Sequence, residues 1–513
     1  MMTRLMIASK RIQAACSQPA ALFWLGVVVF VVLAVIGASG GVRGSDQYWY
    51  LGDLETLVKG EPHFSNSLFP RQLLKDGLER SPFFHNTLPQ YAAIPLAKLF
   101  GPFFGWMAMN VIAMILAAYL TWKAALLRGD AWLAAFLGVV MLLLPLSVWH
   151  SCQVLAEPAL MPMFAAAILV VQRPGGLFRW FVLALVLVLA FMSRFTSLAL
   201  LLVLPMVVLS EPLRIKRKLL GCFMVVAVIV VGFFLNRWLF GSVPLRDSGV
   251  THGIVTRGMG LWYSSEPVAL TTYAIKEKLL YSFGEMMTGT LPNKVMLATN
   301  YVLLLLAAGG AAVALRRKVY GFSIFVLSVI ALNLATMLLF QNQARYVVPS
   351  YPVLLVAASY PLALLVANRR RAFMAVLPLA LIILVVAACP TVLHGRKDGL
   401  QEKAERTLLE TMKQKMLGQG DVISSVESGG QLIAYSLNPR VVLFVSPKSS
   451  EPDWDRILSM PRWRWVFCRE IETALFARRQ VELKVLQRFE FQGEAFGLYE
   501  LPVIGTSSPR ALP

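Results

Sequence analysis

The sequence predicts a polytopic α-helical membrane protein, with about 11 transmembrane helices and a small C-terminal extracytoplasmic α/β domain. Three observations predict it. Of 513 residues, 57% are hydrophobic and only 15% charged, where a soluble protein carries about a quarter charged residues. The apolar residues gather in blocks of roughly 18–23, the length that crosses about 30 Å of hydrocarbon at 1.5 Å per residue. The basic residues sit in the short connections between those blocks, at every second one.

The first block, Leu22–Ile36, sits inside an apolar stretch of about 20 residues. Signal-peptide cores run to about 7–15 residues, so this block reads as a retained anchor. The small residues of Ala38–Gly41 are its one likeness to a cleavage site. Further spans are expected at about 104–126, 130–148, 158–172, 178–193, 195–210, 219–236, 297–315, 320–340, 346–367 and 372–391. Arg4, Lys10 and Arg11 place the N-terminus inside. The cytoplasmic connections then hold Arg128; Arg173 and Arg179; Arg214, Lys216, Arg217 and Lys218; Arg316, Arg317 and Lys318; and Arg369 to Arg371. That agrees with the positive-inside rule and puts the C-terminus outside a bacterial cytoplasmic (inner) membrane. The count requires that Leu88–Phe100, apolar and closed by Gly101-Pro102, lies in the outer interface or re-enters without crossing.

The expected domains are a membrane region, residues 1–393, and an outer domain, residues 394–513. The membrane region carries outer loops at about 40–101 and about 237–296. In the outer domain Glu402–Met416 reads as a helix, and Val422–Ser425, Val441–Val445 and Trp465–Cys468 read as strands. Its length suffices for a core of its own.

Composition and motifs exclude several classes. The net charge of +20 flanks spans instead of forming one basic face, and no nucleic-acid motif is present, so nucleic acid is not an expected partner. No P-loop and no internal repeat occurs. Cys16, Cys152, Cys222, Cys389 and Cys468 have neither zinc nor disulfide-framework spacing, although Cys152 and Cys468 both fall in outer segments. The five histidines, His63, His85, His150, His252 and His394, also fall outside. None pairs with another at ligand spacing on a helix, so no cofactor is required, and a divalent metal would have to be bound across loops.

Ionisable groups at the membrane rim are costly and usually functional. Asp46 follows the first span within Gly44–Tyr50, among Tyr48, Trp49 and Tyr50. A carboxylate there can act as general base. Asp53, seven residues on, shares its face if the segment is helical. The plain structural reading is an interfacial aromatic belt with a helix-capping acid. Glu157 precedes Pro158 at a helix start, where an acid also favours the dipole. Arg194 and Arg345 are outer-side arginines against the positive-inside trend. Snorkelling explains either one alone, and together they suit a lipid-linked phosphate. Trp262 and Tyr263 in the second loop suit either headgroups or a sugar.

Taken together these residues resemble the GT-C superfamily of polytopic glycosyltransferases. The likeness is to the branch with protein O-mannosyltransferases and the lipid A aminoarabinose transferase. Asp46 matches that family's acid after the first span. The segment to Phe100 matches its interfacial helices. Leu88-Pro89-Gln90-Tyr91 and Leu99-Phe100-Gly101 match its Pro-Pro-Leu, Tyr and Leu-Phe-Gly stretch, with one proline of the pair. His85 stands where the aminoarabinose branch has a metal-binding glutamate. Glu157 matches a second outer acid, Arg194 a later arginine, and Arg345-Tyr346 with Pro349 an Arg-Tyr before a proline-containing span.

The resemblance implies an inverting transfer from a polyprenyl-phosphate sugar to the hydroxyl of a lipid, glycan or protein acceptor. Asp46 is then the base, and Arg194, Arg345 and Tyr346 attend the donor phosphate. Glu157 orients the acceptor or a helper side chain. Tyr48, Asp53, His85, Trp262 and Tyr263 are candidates for substrate contact. Two other readings use the same outer arginines: a transporter or flippase of a lipid-linked glycan, and an O-antigen polymerase or ligase.

Overall fold

The computed structural model describes residues 18–39, 41, 45–60, 64–65, 67–68, 73–74, 81–82, 88–127, 130–173, 176–194, 197–240, 291–339, 344–425, 430–437, 440–445, 454–491 and 494–502. They fall into two compact units. One comprises Met1–Ser39, Asn86–Ala92 and Trp106–Arg396; the other comprises Gly40–His85, Ala93–Gly105 and Lys397–Pro513.

The first unit is helical. Each span interval expected from the sequence corresponds to a helix, but their lengths differ. Among the described residues, six stretches are long and apolar enough to cross a membrane: Pro19–Ala38, Pro102–Leu126, Ile215–Asn236, Leu297–Arg316, Val347–Asn368 and Arg370–Pro390. Ala131–Leu143 and Pro145–Ser151, bent by 54°, make a seventh if taken as one broken span. Pro145, which lacks the N–H that would continue the hydrogen-bond ladder, explains the break. Glu157–Gln172, Leu177–Ser193, Leu198–Ser210 and Tyr320–Ala335 are apolar but shorter. The protein is thus a multi-pass membrane protein, with six or seven full-length spans among the described residues and four shorter apolar helices beside them.

Small residues let these helices approach closely, as lipid-embedded packing requires. A Cβ at Gly310 would lie 2.0 Å from the Ala357 carbonyl oxygen, and one at Gly26 would lie 2.7 Å from Val139. Phe23, Phe30, Trp180, Phe191 and Phe325 are buried in the resulting core. Phe223, Phe234, Leu305 and Val386 are exposed on helix surfaces, the faces that hydrocarbon covers.

The second unit joins the two chain segments that the sequence analysis assigned to different domains. Its strands are β1 (Phe64–Ser65), β2 (Ser67–Leu68), β3 (Ser81–Pro82), β4 (Asp421–Ser424), β5 (Val442–Phe444), β6 (Trp463–Arg469), β7 (Lys484–Phe491) and β8 (Glu494–Glu500). β1 and β3 form a short antiparallel pair. The other six form one sheet in the order β2-β5-β4-β6-β8-β7. The first four run parallel, and β8 and β7 are antiparallel additions. β2, from the first loop, pairs Ser67 with Val442 and Leu68 with Leu443. Leu68 is wholly buried in the same core as Ile423, Leu443, Val466 and Tyr499. Gly40–His85 and Ala93–Gly105 therefore belong with the C-terminal residues, and Asn86–Ala92 with the spans. A division at residue 393 misses this because β2 supplies only two residues. The helix Arg370–Lys415 also runs through that position without a break.

Leu88–Phe100 is a helix of 13 residues, about 20 Å long and too short to cross alone. Gly101, at φ +80°, turns the chain into the next helix. A Cβ at Gly105 would lie 2.4 Å from the backbone of Ala97, so this helical hairpin closes backbone to backbone.

Candidate functional site

The first unit brings Glu157 and Arg194 together. Glu157 opens the helix Glu157–Gln172, with Pro158 in its first turn. Arg194 ends the helix Leu177–Ser193 in an extended conformation, its N–H donating to the Ala190 carbonyl. Arg194 Nη1 donates to Glu157 Oε1 at 2.5 Å. The Glu157 side chain is 1% exposed and that of Arg194 is 20% exposed. A carboxylate this deep needs a charge partner, and Glu157 has one 37 residues away. Glu157 is thus an ion-pair partner as well as a first-turn acid.

The connection leading to Glu157 is held from the side. Asn110 Nδ2 donates to the Gln153 carbonyl at 2.6 Å, and Trp106 Nε1 donates to the Leu155 carbonyl at 3.1 Å. His150 Nδ1 bonds the Leu146 carbonyl at 2.7 Å. Backbone groups in a buried connection have no water to turn to, so side chains must satisfy them.

Arg345 and Tyr346 lie in a 3-10 turn, Ala344–Ser350, that packs against the helix Glu157–Gln172; their side chains lie outside the described residues. The turn's end is pinned. Asn333 Nδ2 donates to Ser350 Oγ at 2.7 Å, and Ser350 Oγ donates to the Val347 carbonyl at 2.6 Å. Tyr351 Oη donates to Asn300 Oδ1 at 2.5 Å. All four polar side chains are buried. Trp106, Asn110, Asn300 and Asn333 hold these segments through hydrogen bonds, and the sequence did not single them out. The signal available was an asparagine inside an apolar span, which is costly unless bonded.

The second unit carries Asp46, Tyr48 and Asp53 on the helix Ser45–Val58. At 100° per residue, Asp46, Tyr50, Asp53 and Leu57 share one face, and Tyr48 and Gly52 fall about 200–240° around from Asp46. The Asp46 side chain lies outside the described residues. Tyr50, Asp53 and Leu57 are buried. Burial alone pushes the Asp53 carboxyl well above the usual carboxylate range. Tyr48 is buried with its ring 5.4 Å from that of Tyr435, and a Cβ at Gly52 would lie 3.9 Å from the Tyr435 ring. His85, Trp262 and Tyr263 lie outside the described residues.

Among the described residues, no group of three or more His, Cys, Asp or Glu side chains is placed to hold a metal ion. Among the described residues neither Cys152 nor Cys468 is in a disulfide, and both are buried.

No family model and no curated protein matches this chain by sequence. Solved structures do match by shape. ArnT from Cupriavidus metallidurans bound to undecaprenyl phosphate superposes with a TM-score of 0.56 and 13% identity, covering 95% of this chain and 99% of that one. ArnT from the same organism in the apo state superposes with a TM-score of 0.57 and 14% identity, covering 94% and 98%. The chain has the ArnT fold. The polytopic helical architecture with a small C-terminal sheet that the sequence predicts is the one observed. The match to ArnT spans both units, the terminal sheet included.

Proposed function

We propose that the chain is a glycosyltransferase that moves a sugar from a polyprenyl-phosphate donor to an acceptor hydroxyl outside the inner membrane. The observation that carries this reading is the ArnT fold over 95% of the chain, matched to an ArnT structure bound to undecaprenyl phosphate. The buried Glu157–Arg194 pair supports it, as does the Arg345-Tyr346 turn packed on the helix that Glu157 opens.

In this reading Asp46 accepts the proton of the acceptor hydroxyl. The acceptor oxygen attacks the anomeric carbon as the carbon–oxygen bond to the lipid phosphate breaks, and the configuration inverts. The departing polyprenyl phosphate takes the bonding electrons and meets Arg194 and Arg345. Fixed cations at developing negative charge lower the barrier without reorganising. Glu157 orients the Arg194 guanidinium through their ion pair, which makes it a positioning residue more than an acceptor ligand. Tyr48, Asp53, His85, Trp262 and Tyr263 remain candidates for acceptor or sugar contact. The acceptor is a lipid, a glycan or a protein. A transferase has a use for Asp46 as base, and a flippase has none.

The test combines purified protein with labelled polyprenyl-phosphate sugars and candidate acceptors. Wild type is expected to release polyprenyl phosphate and Asp46→Asn to lose at least 100-fold in turnover, on the order of a removed general base. Turnover by Asp46→Asn at the wild-type rate removes the base assignment. Lipid movement across the bilayer without donor consumption favours the flippase. A reporter fused after Pro513 is expected to be active outside the membrane, and cytoplasmic activity reverses the topology.

A further inference from the structure

We infer that the C-terminal residues serve as a positioning brace for the acid-bearing helix Ser45–Val58, with Tyr435 gripping that helix across Gly52. This deepens the reading of Asp46 as base and rests on it.

The contact lies wholly within the second unit. The helix Ser45–Val58 packs against the short helix Gly430–Ser436. Tyr435 of that short helix sets its ring 5.4 Å from the ring of Tyr48 and close above Gly52. Gly52 lacks a side chain at the position where one reaching beyond Cβ would displace the ring. The short helix is itself fixed. It follows β4 and packs on β5, and its Ile433 and Ala434 are buried, as is Leu437 just beyond it. The first loop is tied to the same core a second time. β2 pairs with β5, and Arg456 Nη1 donates to the Leu74 carbonyl at 3.2 Å.

The face that Tyr435 grips is the one opposite the acids. Tyr48 and Gly52 fall about 200–240° around the helix from Asp46, whose own face carries Tyr50, Asp53 and Leu57. Tyr435 thus holds the helix from the side away from Asp46, while Tyr50, Asp53 and Leu57 on the acid face are themselves buried. A base must be held to within about 0.5 Å of its working position, which a loop helix without backing does not achieve. The brace gives the C-terminal residues a task in the reaction, apart from any acceptor binding.

The test uses the full chain in nanodiscs, with two readouts. Hydrogen exchange of the Ser45–Val58 amides reports the helix position, and turnover of a labelled polyprenyl-phosphate sugar reports chemistry. Tyr435→Ala is expected to speed exchange in 45–58 while β6, β7 and β8 stay protected. The same variant should lower kcat about tenfold, with donor KM within about twofold of wild type. Tyr435→Phe keeps the ring and is expected to stay closer to wild type than Tyr435→Ala in both readouts. Gly52→Leu attacks the contact from the other side and should reproduce the Tyr435→Ala result. Unchanged exchange in 45–58 for Tyr435→Ala and Gly52→Leu overturns the brace. Faster exchange with unchanged kcat overturns its role in catalysis. Should Tyr435→Ala also lose protection in the sheet, Gly52→Leu decides by the same two readouts. Full turnover by Asp46→Asn sinks the base assignment separately, because the exchange result does not depend on it.

Discussion

Arg194, largely withdrawn from solvent, is paired with the buried Glu157. Removing the cation deprives a buried carboxylate of this charge partner, which costs more than the pair itself contributes. Arg194→Met is expected to lower unfolding free energy by about 3–5 kcal/mol, read as thermal unfolding in detergent. Adding Glu157→Gln should recover part of the loss; a double variant as unstable as the single one would show that the pair is not coupled. The sequence marked both residues but not their partnership, since 37 positions separate them and only two adjacent helices bring them together. Asp53 makes a pH-dependent prediction. Burial raises its folded pKa above the unfolded value, so the folded protein keeps a proton that the unfolded chain releases. Stability from that proton is complete below the unfolded pKa and falls as pH rises through the folded pKa. Asp53→Asn stays neutral throughout, so it should raise the unfolding temperature more at pH 8 than at pH 5. Equal shifts at both pH values would contradict the burial of this group.

Among the elements, the helices Leu291–Arg316 and Tyr351–Asn368 meet through Gly310, where a Cβ would run into the Ala357 carbonyl. Gly309 next to it has nothing within 4 Å of a Cβ. Gly310→Ala is expected to destabilise the protein by about 1–3 kcal/mol through overpacking, and Gly309→Ala to leave it within about 0.5 kcal/mol of wild type. Thermal unfolding of the two variants side by side checks this, and equal behaviour would argue against the close helix contact. Both glycines sit in one apolar run, and nothing local distinguishes them; only the neighbouring helix does. Helix existence was legible at this scale, because a span must satisfy its own backbone hydrogen bonds within one contiguous segment. Helix length was less so. Pro145 divides one interval, and several helices stop short of full-span length.

At the level of the whole molecule, the second unit brings together residues more than 350 positions apart in the chain, as the contact of Leu74 with Arg456 shows. Leu68 contributes one fully buried side chain to that core. Leu68→Ala is expected to cost about 2–5 kcal/mol and to loosen β4 and β5, which hydrogen exchange of residues 421–424 and 442–444 would report. Ending the chain after Arg396 removes the partners of Tyr48 and Leu68. Exchange across 45–58 should then become fast, while the helices that meet at Gly310 stay protected. The sequence by itself determined where the apolar helices lie, that the chain is a multi-pass membrane protein, and that its order of acids, arginines and prolines resembles the GT-C pattern. These are local properties, since each span and each rim charge answers to the solvent around its own segment. The tertiary structure decided that Glu157 pairs with Arg194, that Asn110 and Trp106 hold the connection before Glu157, and that the first loop shares a core with the C-terminus. Those are non-local contacts. A two-residue parallel strand and a bare glycine under a tyrosine ring carry no periodicity, so only the folded chain reveals what they touch.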